Sequence, residues 1–330
     1  LGLAPLQFLP KEALAIMNGT SAMTGLACLA WERAEFLVRL CSRLTSLASF
    51  ALNGNVGHFH PVIFKLKPHP GQAQVANFIA QDLELDEDHN EEGNQIQDRY
   101  SIRCAPHVIG VLADGLPFYR QLIETELNSS NDNPLLDVEA GRFHHGGNFY
   151  GGHICLAMDA MKASVANLLN LMDRQMALLV DCKTNNGLPS NLTAMEGPAI
   201  VISHGFKAVQ IAISALAAEA SKLTMPASVF TRSTECHNQD IVSMGTIAAR
   251  DAHRILALTE QGAACMLMAA VQAVELRLRE TKANLHPRLR QTVEALRGFS
   301  APLVADRSLD KELASLTLLI RQQGFPLEPL

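Results

Sequence analysis

Gln97, Tyr100 and Arg103 stand three residues apart each time within NQIQDRYSIRCAP (94–106). On a helix, or on a turn leading into one, that spacing brings an amide, a phenol and a guanidinium within reach of one small ligand. A guanidinium is a planar, two-pronged donor that matches a carboxylate. A salt bridge from Arg103 to the acidic residues just upstream accounts for the same residue equally well. Tyr100 suits substrate orientation or proton transfer, although a Tyr beside a helix start more often packs its ring and tethers its hydroxyl. Taken together, the three point to a site for something small and anionic.

Three further stretches carry polar groups where the bland explanation is incomplete. In NGTSAMTG (18–25), Asn18 and Gly19 weaken a helix interior, so either the helix breaks there or the amide has a task. In HHGGNFYGGH (144–153), four glycines around Asn148 and Phe149 allow close backbone approach, and an amide beside an aromatic ring suits an aromatic substrate. A tight loop with Asn148 as helix cap is the competing explanation. TECHNQD (234–240) sets Glu235, His237, Asn238, Gln239 and Asp240 before a long apolar helix, where capping explains one or two of the five.

Loops on a rigid frame are the usual home of such groups. Ala-, Leu- and Met-rich stretches with apolar residues at i, i+3, i+4 and i+7 predict an all-α fold, an elongated bundle of long helices. Helices are expected at about 11–52, 104–127, 151–183, 198–223 and 238–281, with a shorter group beyond Pro287; this divides the chain into a bundle at 1–285 and a C-terminal helical segment at 286–330. The tract from Val242 to Leu278 is apolar around much of its axis, which predicts that other copies of the chain cover it.

The 330 residues carry a formal charge of −6 without a Lys/Arg block, so nucleic acid is excluded as a partner. Seven cysteines without CxxC spacing fit reduced thiols and a cytoplasmic protein. The most apolar tract, at 263–274, is too short to span a bilayer, so no membrane segment is expected. DLELDEDHNEE (82–92) is a solvated loop, with calcium as the lesser alternative. HFH (58–60), HH (144–145), His153 and His237 invite zinc, but no HExxH or Cys/His pairing occurs and no metal is assigned. GxSxG, Walker A and GxGxxG sequences are absent, which removes the common hydrolase, NTPase and dinucleotide readings.

In order along the chain, KEALAIMNGT (11–20), KPHPGQ (67–72), IQDRYSIRCAPHVIG (96–110), ELNSSNDNPLLD (126–137), HGGNFYGGH (145–153), NNGLPSNL (185–192) and HNQDIVSMGTIAAR (237–250) resemble the aromatic amino acid ammonia-lyase and 2,3-aminomutase family. That family includes the histidine, phenylalanine and tyrosine ammonia-lyases. The resemblance implies elimination of ammonia from an α-amino acid, or its transfer to the β-carbon. It also implies a prosthetic 4-methylideneimidazol-5-one made from an internal Ala-Ser-Gly, and a homotetramer whose active sites are completed by neighbouring subunits.

By resemblance, Arg103 binds the substrate carboxylate, Gln97 and Tyr100 line the pocket, and Asn18 contacts substrate and prosthetic group. Asn148 and Phe149 stand beside that group, and Glu235 and Gln239 lie near the amine, which makes Tyr100, Glu235 and Gln239 the catalytic candidates. No Ala-Ser-Gly occurs in the 330 residues, and the family's proton-abstracting tyrosine lies in the same upstream part. The chain is therefore expected to be the C-terminal portion of a full enzyme, active only with that part. By resemblance, histidine-specific members carry an acid where this sequence has Gln239, in an NQE order instead of NQD, which favours phenylalanine or tyrosine over histidine. A 2,3-aminomutase shares every residue named, and a catalytically silent scaffold is the reading from another class.

Overall fold

The computed structural model describes residues 2–85, 96–281 and 283–330. Its helices are α1 (Glu12–Asn18), α2 (Ser21–Ala51), α3 (Pro61–Leu66), α4 (Pro70–Asp82), α5 (Tyr100–Arg103), α6 (Ala105–Leu127), α7 (Gly152–Val180), α8 (Lys207–Lys222), α9 (Gly245–Glu280), α10 (Pro287–Arg297) and α11 (Asp310–Arg321). One hairpin pairs β1 (Leu135–Asp137) with β2 (Arg142–His144), antiparallel. The fold is all-α.

Long helices α2, α7 and α9 run in one direction. His253 meets the Leu26 carbonyl at 2.8 Å, and Arg277 Nε meets that of Ala51 at 2.8 Å, so α2 and α9 advance together. Leu169 of α7 abuts Gly262 of α9, while Gly151 and Gly245 adjoin at their N-termini. Two helices return in the opposite sense: α6, from the neighbourhood of Gln175 to that of Trp31, whose indole N–H donates to the Leu116 carbonyl at 2.8 Å, and α8, where Ser214 pairs with Asp173 and Ser221 with Asn170. The bundle therefore has an N-terminal pole, where α2, α7 and α9 begin, and a C-terminal pole, where they end.

The core is one continuous cluster of Leu, Ala, Ile, Met and Val, and α10 and α11 join it through Leu289, Leu296, Leu316 and Ile320. Buried charges are paired. Arg43, fully buried, donates to Asp82 at 2.8 Å and to Thr292 at 2.9 Å, and also reaches Glu328. Buried Glu260 accepts from Arg33 at 2.6 Å and from Arg321 at 2.9 Å, tying α2 and α11 to α9. Such pairs fix relative helix positions, since removing one partner strands a charge in low dielectric.

Several expected boundaries move, each for a physical reason. The helix expected at 11–52 breaks into α1 and α2, bent by 49° at Gly19–Thr20. Residues 197–202 form a 3-10 turn rather than the start of α8, because Asp306 accepts from the His204 and Gly205 backbone N–H groups at 2.7 and 3.0 Å and pins the segment. Helix α9 begins at Gly245 instead of 238, after a left-handed Met244 with φ 56°. Helices α3 and α4 lie between the helices expected at 11–52 and 104–127, where none was expected, and the hairpin was not expected either.

Coverage of the apolar tract at 242–278 also differs from expectation. Its 263–274 core lies in a 36-residue helix that, like Gly152–Val180 and the Ile200–Val229 stretch, is long and apolar enough to cross a membrane by length and composition. Yet 89% of the α9 window is buried by the chain's own helices, whereas only 22% of the Ile200–Val229 window is. Exposed apolar side chains lie on α8 and α6, among them Ile211, Val111 and Phe118, while on α9 Ile247 near its start is exposed.

Candidate functional site

Helix α5 is one turn long, anchored by buried Ile102, and it presents its polar groups at the C-terminal pole. Arg103 Nε donates to the Asp98 carbonyl at 3.1 Å, and the guanidinium carbon lies 4.7 Å from the Tyr100 ring centre. Among the described residues Arg103 has this backbone bond and no carboxylate partner. Residues 86–92 of the acidic stretch, and with them the calcium alternative, lie outside the described residues. Gln97 is exposed, and Tyr100 is 73% exposed, so its ring is not packed into the core. Beside Tyr100, an open groove of about 490 Å³ runs between α6 and α7, lined by Cys104, Val111, Ser164 and Arg174 among others.

Gln175 is a residue that motif reasoning overlooked. Fully buried in α7, its amide nitrogen donates to the Ser101 carbonyl and to Thr45 Oγ1, each at 2.9 Å, locking α5 to the bundle. A polar amide on the apolar face of a long helix is the signal that could have found it.

At the N-terminal pole, Asn18 is exposed at the end of α1. The adjoining Gly19 faces the Asn131 carbonyl, and Asn148 Nδ2 donates to the Ser130 carbonyl at 3.1 Å, so one 128–134 loop carries both amides' surroundings. Lys11 ties α1 to that loop through Asp132 at 2.9 Å. Phe149 is 42% exposed beside them. A groove of about 370 Å³ opens between α1, the start of α2 and the 126–132 segment. Thr20 is fully buried at its edge, with no hydrogen-bond partner for its hydroxyl among the described residues. Asn148 does not cap α7: the capping position is Gly151, without a side-chain bond.

Glu235 and Gln239 lie in the loop leading into α9 at this same pole. Thr234 and Gln239 close the loop by backbone bonds of 2.9 and 3.3 Å, and Asn238 donates to Glu235 at 3.0 Å. Glu235, Cys236 and His237 all have left-handed φ, at 52°, 52° and 70°. Three such residues without a glycine store strain, and strain of this kind concentrates where side chains have to be aimed. None of the five polar residues caps α9 by a side-chain bond. The loop's approach is held by buried Asp159, which accepts from the Ala227 and Ser228 backbone N–H groups at 3.0 Å each and pairs with Lys162 at 2.8 Å.

The eight candidates thus form two groups. Asn18, Asn148, Phe149, Glu235 and Gln239 belong to the N-terminal pole, and Gln97, Tyr100 and Arg103 to the other. Gly152 and Gln175 mark the two ends of the separation along α7, roughly 35 Å at 1.5 Å per residue. One copy cannot bring both groups to one small molecule. The histidines do not converge either: among the described residues, no group of three or more His, Cys, Asp or Glu side chains could hold a metal ion.

Residues 1–298 match the family model described as aromatic amino acid lyase. The chain is 36% identical over 338 residues to the tyrosine ammonia-lyase of Cereibacter sphaeroides, covering 98% of this chain and 64% of that protein. It is 34% identical over 322 residues to the histidine ammonia-lyase of Natranaerobius thermophilus, covering 97% and 62%. Among solved structures, the phenylalanine aminomutase of Pantoea agglomerans superposes with a TM-score of 0.87 at 32% identity, covering 97% of this chain and 65% of that one. The chain accordingly spans less than two thirds of the length of these relatives.

Proposed function

The chain belongs to the aromatic amino acid lyase family, and from that premise we propose that it serves the non-oxidative elimination of ammonia from L-phenylalanine or L-tyrosine, giving a trans-unsaturated acid. The observation that carries the proposal is the hold on Arg103. With Nε engaged by the Asp98 carbonyl and the plane resting by Tyr100, its fork is preset for a carboxylate. Gln97 and Tyr100 line the same pocket, the Tyr100 hydroxyl holding or moving a proton at the amine. Glu235 offers the ammonium a carboxylate, and Gln239 an amide, a neutral neighbour that suits a carbocyclic ring better than imidazole.

The family's 4-methylideneimidazol-5-one fits the N-terminal pole. The uncharged Asn18 amide and Phe149 ring, with Thr20 two residues on from Asn18 and its buried hydroxyl without a hydrogen-bond partner among the described residues, suit a neutral, planar, hydrogen-bonding group. Asn18 would hold it and Phe149 would stand beside it. When bound, it supplies the electrophile that takes up the amine.

A site of this composition draws its two groups from different copies, and antiparallel pairing of two bundles sets one copy's C-terminal pole against its neighbour's N-terminal pole. That pairing needs at least two copies; the homotetramer is what the family resemblance implies, and the exposed apolar side of α6 and α8 offers its contact surface rather than a lipid-facing one. The seven cysteines are all free, in keeping with a cytoplasmic location. Likeness to an aminomutase supports transfer of the amine to the β-carbon as a second reading.

NMR of the products from intact protein incubated separately with phenylalanine, tyrosine and histidine tests this. An unsaturated acid with free ammonia is expected from one of the first two. A β-amino acid moves the assignment to the mutase, and turnover of histidine alone overturns the substrate class.

A further inference from the structure

We propose that His58, through the backbone of Asp98, is a positioning residue for the Arg103 guanidinium, an inference that rests on Arg103 being the carboxylate clamp. His58 Nε2 accepts the Asp98 backbone N–H at 3.0 Å. Asp98 is held a second time, its carboxylate accepting from the Asn55 backbone N–H at 2.8 Å. The far side of the same residue is the carbonyl that receives Arg103 Nε at 3.1 Å. The His58 side chain, in the 3-10 turn Val56–Phe59, therefore fixes the amide end of the residue whose carbonyl end holds the clamp, and the Asn55 backbone fixes that residue's carboxylate.

The turn's sequence is built for this approach. Asn55 caps it, accepting from the Gly57 N–H at 2.8 Å, and Phe59 buries its ring to seat the turn on the core. Gly54 lets the two segments meet: a methyl group there would stand 3.0 Å from an Asp98 carboxylate oxygen and 2.6 Å from Ser49 Oγ. GNVGHF (54–59) is thus a cradle for Asp98.

The bond requires neutral His58. Nε2 also lies 3.6 Å from the Asp98 carboxylate, which would suit an imidazolium. The closer backbone N–H needs the nitrogen lone pair, however, and that carboxylate is already engaged by Asn55. Burial pushes the His58 pKa down, the Asp98 charge opposes this, and the Arg103 charge adds to it. Protonation would replace an acceptor by a second donor facing the Asp98 N–H, releasing Asp98 and loosening Arg103. Affinity for a carboxylate substrate should then fall as pH drops through the lowered His58 pKa, below the ordinary value near 6.5.

The experiment compares His58→Leu, His58→Gln and Arg103→Ala in the intact protein, measuring KM and kcat separately against pH. Gln places a non-titrating acceptor near the Nε2 position. His58→Leu is expected to raise KM about tenfold with kcat changed far less, the pattern of lost uniform binding. His58→Gln should restore KM and abolish the acid rise in KM. Should the Leu variant fail to fold, the Gln profile alone decides, since an unchanged acid limb contradicts the assignment. A normal KM in His58→Leu alongside a raised one in Arg103→Ala overturns the role of His58 alone. A normal KM in Arg103→Ala overturns the clamp itself, and this inference with it.

Discussion

Gln175 donates to the Ser101 carbonyl at 2.9 Å, and through that bond the turn bearing Tyr100 and Arg103 is fastened near the far end of the helix that Phe149 precedes. The same amide nitrogen reaches Thr45, so α2, α5 and α7 share one buried polar contact. Replacing Gln175 by Leu removes both bonds and leaves the Thr45 hydroxyl and Ser101 carbonyl short of a donor. A cost of about 1–3 kcal/mol is expected, read as a lower denaturation midpoint. KM should rise as well, because α5 loses its anchor.

Arg103→Ala should cost recognition of the carboxylate on the order of 2–5 kcal/mol, the range for a truncated charged pair. Steady-state kinetics on the intact protein measure it. Arg103→Lys should not recover the loss: lysine keeps the charge but lacks both the Nε that Asp98 holds and the fork. Equal KM in lysine and arginine forms would show that charge alone matters.

Acid should weaken the segment that carries Glu235. Burial by itself would raise the Asp159 carboxyl, but Lys162 and the backbone N–H groups of Ala227 and Ser228 outweigh it and hold the pKa below the ordinary carboxylate range. A depressed folded pKa gives stability that is full above the unfolded value, near 3.9, and is lost as pH falls through the folded one. Thermal midpoints of the wild type should therefore drop below about pH 4. Asp159→Asn should start lower at pH 7 and lose part of that acid dependence. Identical pH profiles for the two would contradict the role of Asp159.

Much of this was legible in the residues. Helical periodicity revealed the long helices, because burial of one face repeats along the chain, and the polar types at 97–103 marked the turn where Tyr100 and Arg103 meet. Contacts distant in sequence were not legible. Nothing local shows that Asp306 pins His204 and Gly205 and so delays α8, or that left-handed Met244 delays α9. Pro70 in the first turn of α4 was a usable start signal that the surrounding loop-like composition obscured. The apolar tract of α9 suggested a copy-to-copy surface, yet the chain's own helices cover it. The division of site residues between two poles depends on α2, α7 and α9 running parallel, which no motif encodes.

Mixed assemblies of two variants test that division between poles. Arg103→Ala disables one pole and Glu235→Gln the other. Each alone should be nearly inactive when assembled from one kind of subunit. If every site joins poles from different copies, co-expressing the two variants places intact poles together in roughly a quarter of the sites of randomly mixed assemblies. Activity should recover toward that fraction of wild type. Mixed assemblies, verified by two affinity tags, that stay as inactive as either variant would contradict it.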